Sequence, residues 1–168
     1  MSEKKTVYKW FWVWEFDKEE AWLNEMSMNG WALCRVGLCC YEFERSAPGE
    51  YIIRLEYRQH DENYFQFMQE LGAEYIGHYT NWRYFRKKSS EGSFDLFSDL
   101  DSKINHLNQI GRVIAIIGGC NLVIGFVNSI NVSHAGWINL LCPSLLMYGL
   151  GRIHGMKEAL EKDRMLQE

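Results

Sequence analysis

No Asp, Glu, Lys or Arg occurs between Val113 and Gly151, a stretch of 39 residues in a chain of 168 that is otherwise richly charged. Two apolar blocks lie inside it, 113–130 and 135–150, separated by Asn131-Val132-Ser133-His134. A spanning helix needs about 20 predominantly apolar residues, with a lower limit near 17. The blocks therefore predict a hairpin of two transmembrane helices, with a buried hairpin of a soluble domain as the alternative. No ionisable side chain sits at mid-depth in either block, which argues against a proton-coupled carrier or an ion pathway.

Other absences narrow the function class. The five cysteines include no C-x-x-C spacing, so neither a disulfide framework nor a zinc site is expected. No Gly-rich phosphate loop or Walker motif appears. Before Ile110 there are 18 acidic and 13 basic residues, so no nucleic-acid footprint is expected. The N-terminal Met-Ser-Glu-Lys-Lys leads straight into a strand-like run and does not read as a signal peptide. His60 with Asp61 and Glu62 sits where helix capping explains it, while His78 and His106 are isolated. Neither catalysis nor a metal nor a cofactor is expected.

What is present is aromatic and repetitive. Aromatics make up 15% of the chain, and six of the seven Trp fall at or before Trp82. From residue 7 the chain repeats at an offset of 42: Gly30 with Gly72, Trp22-Leu23 with Tyr64-Phe65, Met26 with Met68, Phe43 with Phe85. Each unit reads strand, helix, strand, strand. Strands are expected at 7–16 and 51–58, where aromatic and β-branched residues cluster. Asp17 and Asp61 are the expected helix caps, with Glu20 reaching back in the first unit. Gly30 and Gly72 are the expected helix stops. Hairpins follow at 31–45 and 73–87.

The expected fold is thus α+β: a duplicated strand-helix-strand-strand antiparallel sheet with two helices on one face, followed by a two-helix transmembrane hairpin. The domains read as 1–92 (repeats about 7–46 and 49–88), a juxtamembrane helix 93–111 opened by a capping box at Ser98–Asp101, the hairpin 112–152, and a tail helix 153–168. Arg112 and Lys103 before the first span, with Arg152, Lys157 and Lys162 after the second, place both termini on the cytoplasmic side of the cell membrane.

Neighbours on a strand point to opposite faces. If Ile53 and Leu55 face the helices, the offset puts Phe11 and Val13 there too. Trp10, Trp12 and Trp14 then join Arg54 and Glu56 on the other face, with Tyr41 and Tyr57 at its margin. Such an aromatic patch marks a binding surface. Its expected occupants are a small aromatic or cationic ligand, a membrane protein partner or second copy, the juxtamembrane helix, or the bilayer. In the spans, Ala115 with Gly119 and Gly151 with Gly155 have the spacing that lets helices approach closely. Asn121, Asn128 and Asn139 are candidates for hydrogen bonds across helices. The leading reading is a membrane-anchored cytoplasmic sensor or adaptor; the alternative is a structural or accessory subunit of a membrane complex, including a homo-oligomer.

At Glu19-Glu20-Ala21-Trp22-Leu23-Asn24-Glu25-Met26, Gly30-Trp31, Tyr41-Glu42-Phe43, Pro48-Gly49-Glu50-Tyr51, Tyr84-Phe85-Arg86-Lys87 and Phe97-Ser98-Asp99, the chain resembles the bacterial family called domain of unknown function 2812. The resemblance covers roughly residues 10–106 and departs at Ala73, where a Trp is usual. It implies membrane segments after the domain and a gene beside PadR-type regulators, but no activity. The duplicated modules also resemble gyrase-inhibitor-like multidrug-binding domains, which implies a groove for aromatic cations beside a Glu, here Glu56.

Overall fold

The computed structural model describes residues 3–95, 100–131 and 138–167. The chain divides into two compact units, Met1–Leu96 and Phe97–Glu168. The first is mixed α+β. Its elements run β1 (Lys4–Tyr8), α1 (Phe16–Met28), β2 (Trp31–Gly37), β3 (Cys40–Arg45), β4 (Tyr51–Tyr57), α2 (Glu62–Glu70), β5 (Glu74–Tyr79) and β6 (Trp82–Lys88). The strands form two antiparallel three-stranded sheets, ordered β1-β3-β2 and β4-β6-β5, in place of the single sheet expected.

Local chemistry accounts for most boundaries. The Asp61 carboxylate accepts from the amides of Asn63 and Tyr64 and starts α2. Gly30 and Gly72 end the helices at φ +80° and +81°, where an L side chain is strained. α1 starts differently from expectation. It opens at Phe16 with Glu15 as its cap residue, and no side chain closes that end. Asp17 lies inside the first turn, and Glu20 turns away to accept the Leu55 amide at 2.9 Å.

The first strand is the main departure from the sequence reading. It ends at Tyr8 rather than running to Phe16. β3 begins at Cys40, just after Cys39 turns the chain at φ 52°, so the outer strand runs out of partner there. Pairing also fixes the register. Lys5 lies opposite Phe43 and Arg54 opposite Phe85. The first strands of the two halves are therefore related at an offset of 49, whereas Phe43 and Phe85 are related at 42. The difference is odd, and an odd slip exchanges the two faces of a strand. Residues 9–15 make up that difference, and they lie in no strand.

Helix placement departs as well. Leu55 pairs with Tyr84 and Tyr57 with Trp82, which puts these four on one face of the second sheet. α1 covers that face: Tyr84 reaches Glu19, and Phe16 stacks on Trp82 at 5.3 Å. α2 covers the opposite face, where Tyr64 and Phe65 meet Phe85 in a core with Met68, Ala73 and Phe94. The two helices thus sandwich the second sheet. Both faces of that sheet are apolar at their centres, Ile53 and Leu55 on one and Phe85 on the other, all nearly inaccessible, so each needs a cover.

α1 also lies along the free edge of β4. Asn24 pairs with both the amide and the carbonyl of Ile53 at 2.9 Å. Ser27 donates to the Tyr51 carbonyl at 2.6 Å, and Glu20 takes the Leu55 amide. One polar row of a helix thereby stands in for a neighbouring strand and closes an edge that would otherwise invite pairing. The two sheets are joined by Arg86. Its guanidinium donates to the Leu33 carbonyl beside the β2 bulge, and to Glu44 and Glu74, at 2.7–3.0 Å.

The second unit is a pair of long helices, α3 (Leu100–Asn131) and α4 (Ile138–Gln167). Residues Lys103–Ile130 of α3, whose most apolar 18-residue stretch has a mean hydropathy of 2.1, form the one helix among the described residues that is long and apolar enough to cross a membrane. The second apolar block, the polar turn at 132–134 and the capping box at Ser98 lie partly or wholly outside the described residues.

Candidate functional site

Residues 9–15 form an aromatic step between β1 and α1. Glu15 folds it back on itself: its amide donates to the Trp12 carbonyl at 2.8 Å, and its carboxylate takes the Lys18 ammonium at 2.6 Å. Trp14 is buried, 4% exposed, and serves as a pedestal. Trp12 stacks flat on it at 5.2 Å, and Trp10 meets Trp12 edge-on at 5.4 Å. Trp10 and Trp12 are 59% and 40% exposed. Phe11 points the other way, into Trp22 and Tyr41, and the Lys9 ammonium stands 4.5 Å over the Trp22 ring. The exposed aromatics expected here are present, but as two of three Trp, and Val13 is exposed rather than core.

The other candidates do not join them. Arg54 pairs with Glu20 of α1 at 3.2 Å, at the β4 edge. Glu56 is 4% exposed beneath α2 and accepts from Arg58 at 2.9 Å, while burial and Glu56 push the Tyr64 phenol above its ordinary range. Tyr57 turns to the opposite face, edge-on to Trp82 at 5.5 Å, and its hydroxyl accepts from Asn81. The seven residues therefore do not form one site. Glu56 cannot serve as the anion of a Trp-lined groove, because its face of β4 is occupied by α2.

Tyr41 belongs to a cluster that sequence reasoning missed. Its hydroxyl donates to Glu19 Oε1 at 2.7 Å, and Tyr84 donates to the same oxygen at 2.6 Å. Burial holds the Glu19 carboxyl above the usual carboxylate range, against the lowering pull of the two phenols. Burial and the Glu19 charge in turn raise both tyrosines. One carboxylate thus ties α1 to β3 and β6 at once. The signal was present: Glu19, Leu23 and Ser27, the buried residues of α1, recur at steps of four. Among the described residues no three His, Cys, Asp or Glu side chains are grouped so as to hold a metal ion.

In the second unit the small residues with the spacing for close helix approach face away from the seam between α3 and α4. The seam uses Gly111, against Leu150 and Ile153, and Gly118, against Leu146 and Met147. A Cβ added at Gly119, Gly151 or Gly155 would meet nothing within 4 Å, and Ala115 is exposed. Asn121 bonds to the Ile117 carbonyl of its own helix instead of reaching across. The reason is periodicity. Positions 111, 114 and 118 fall on one side of a 3.6-residue helix, 115 lies at the margin of that side, and 119 is turned from 118 by about 100°. The Asn139 side chain lies outside the described residues.

No curated protein matches this chain, and no solved structure does. Trp10, Trp12 and Trp14 precede the part of the chain that a family model covers. That model matches residues 15–118, more than half of the chain and all of the α+β unit from the aromatic step's end onward, and the chain belongs to the family described as Protein of unknown function (DUF2812).

Proposed function

We propose that this protein is a membrane-anchored sensor or adaptor in which the α+β unit presents Trp10 and Trp12 as its contact surface. The observation that carries this reading is the build of the aromatic step. Two indoles are held out in water by a third, buried one, although covering an aromatic side chain is worth about 1.5–3 kcal/mol. A fold does not keep that arrangement rigid for its own stability. In this reading α3 is the first of two spans, both termini are cytoplasmic, and the unit is an internal duplication. The like order of β1-β3-β2 and β4-β6-β5, with bulges after Leu33 and Tyr75, supports the duplication.

A Ser133→Cys variant without other cysteines tests the anchoring: a membrane-impermeant thiol reagent should label it in intact cells. Labelling only after lysis defeats the hairpin. For the contact surface, Trp12→Ala in the full chain should weaken whatever small molecule or protein segment shifts its indole emission. A chain whose emission responds to no aromatic cation or partner, and whose assembly ignores the substitution, has no contact surface there.

A second reading, an assembly subunit, is favoured by the open face at Ala115, Gly119, Gly151 and Gly155. Small residues of this kind let helices of separate subunits approach closely. The mass of the detergent-solubilised protein distinguishes the readings. A fixed multimer that Gly119→Leu dissolves supports the subunit.

A further inference from the structure

We infer that a groove between α3 and α4 holds an anionic phospholipid. This rests on the reading of the two helices as membrane spans and names a ligand for them. The groove has a volume of about 1020 Å³ and lies wholly within the helical unit. Each helix lines it with residues three or four apart, Asn108, Arg112 and Ala115 on α3 and Met147, Gly151 and His154 on α4. Arg112, Ala115, Met147 and His154 are exposed, so the groove opens outward.

Its lining divides by depth. Gly111 meets Leu150 and Ile153 of α4, so the two ends of the uncharged stretch, Val113 and Gly151, lie at one level. On the charged side of that level stand Arg112, His154 and Lys157. On the uncharged side stand Ala115, Met147 and Leu150. One groove thus carries cations at its outer end and an apolar wall beneath them, the order in which a lipid presents its headgroup and its acyl chain.

Charge selects the headgroup. Among the described residues no Asp or Glu lines the groove, and Arg112 forms no ion pair. Lys157 meets Glu161 at 3.6 Å, but its ammonium has three donors and can serve a phosphate as well. With both termini cytoplasmic, this end of the helices faces the leaflet that carries anionic lipids, and basic pockets between spans on that side take their headgroups. A free phosphate would leave the apolar half uncovered. A second copy packed here symmetrically would set Arg112 and Lys157 against their own counterparts, a like-charge contact.

The test uses the full chain in mild detergent, offered phosphatidylglycerol and phosphatidylcholine with identical acyl chains, and native mass spectrometry as the readout. We expect a single phosphatidylglycerol per chain to be retained in preference to phosphatidylcholine. A basic residue near an anionic surface contributes about fivefold to binding, so Arg112→Gln/Lys157→Gln should weaken retention about 30-fold. Arg152→Gln, which removes a cation at the same end of the helices but outside this groove, should leave it unchanged. Ala115→Phe fills the apolar half and should also reduce it. Equal retention of both lipids, or an equal loss in Arg152→Gln, overturns the anionic site. Retention that excess inorganic phosphate removes, or that Ala115→Phe leaves untouched, overturns the lipid as its occupant, and a lipid-free dimer assigns the groove to a second copy. The lipid comparison needs no variant, so it decides even if a variant misfolds. Flotation with phosphatidylcholine vesicles reads the anchoring separately: a chain that does not float defeats the membrane reading itself, while one that floats and retains both lipids equally defeats only this inference.

Discussion

Asn24→Ala probes the contact by which α1 closes the edge of β4. The substitution removes two hydrogen bonds to the Ile53 backbone, both 2.9 Å, and leaves that amide and carbonyl facing an apolar methyl. Each such bond contributes about 0.5–1.5 kcal/mol net, so the pair is worth about 1–3 kcal/mol. The third bond, to the Glu20 carbonyl at 2.8 Å, lies within α1 and competes with helix geometry. Alanine is the better helix former by about 0.5 kcal/mol, which offsets part of the loss. The expected net cost is about 0.5–2.5 kcal/mol. At about 4–8 °C per kcal/mol for a unit of this size, the thermal midpoint should fall by about 2–20 °C. Urea unfolding of the full chain in mild detergent, followed by indole emission, measures the free-energy cost, and thermal unfolding followed the same way measures the midpoint. Gln66→Ala is the internal control. Gln66 stands at the equivalent place in α2 but is exposed, and its replacement should change stability by less than about 0.5 kcal/mol. If Asn24→Ala costs no more than Gln66→Ala, the helix does not substitute for a strand and the edge is closed by packing alone.

Glu19→Gln concerns the buried carboxylate. Because burial raises its folded pKa above the unfolded one, the group contributes stability at acidic pH and loses it as pH rises through the raised value. Glutamine keeps an acceptor for Tyr41 and Tyr84, so the variant should match or exceed the wild type at neutral pH and show a flatter pH profile; a steeper profile would contradict the assignment. Leu23→Ala should cost about 2–5 kcal/mol in the same urea assay, and Phe65→Ala less, since Leu23 is fully buried and Phe65 only partly. Arg86→Lys cannot reach Leu33, Glu44 and Glu74 together, so it should cost at least about 1.5 kcal/mol; an unchanged midpoint would show that the two sheets hold without it.

The site was less legible than the elements. The aromatic richness of residues 8–14 pointed to an exposed patch, and Trp10 and Trp12 are exposed. The residues grouped with them do not come together, because the grouping was built by parity from an uninterrupted repeat, and seven residues between β1 and α1 break that parity. Glu56 looked like a surface anion since it alternates with Ile53 and Leu55, a pattern that marks a sheet with one wet face. Along β4 and β6 the second sheet is covered on both faces. α2 covers the side that the alternation assigned to water, and the polar groups there are held by Arg58 and by the phenol of Tyr64.

What the sequence alone determined is what short-range chemistry controls: the Asp61 cap, the glycine stops at Gly30 and Gly72, the hairpins, the uncharged stretch in α3, and the family. Each depends on residues within a few positions of one another. Tertiary structure decided which strand ends where, how the sheet divides in two, and what each helix covers. Those depend on pairing between residues far apart in the chain. β1 stops where β3 begins, and Glu19 becomes a tie only when Tyr41 and Tyr84 arrive from two different sheets. Local spacing carries no record of a partner 22 or 65 residues away.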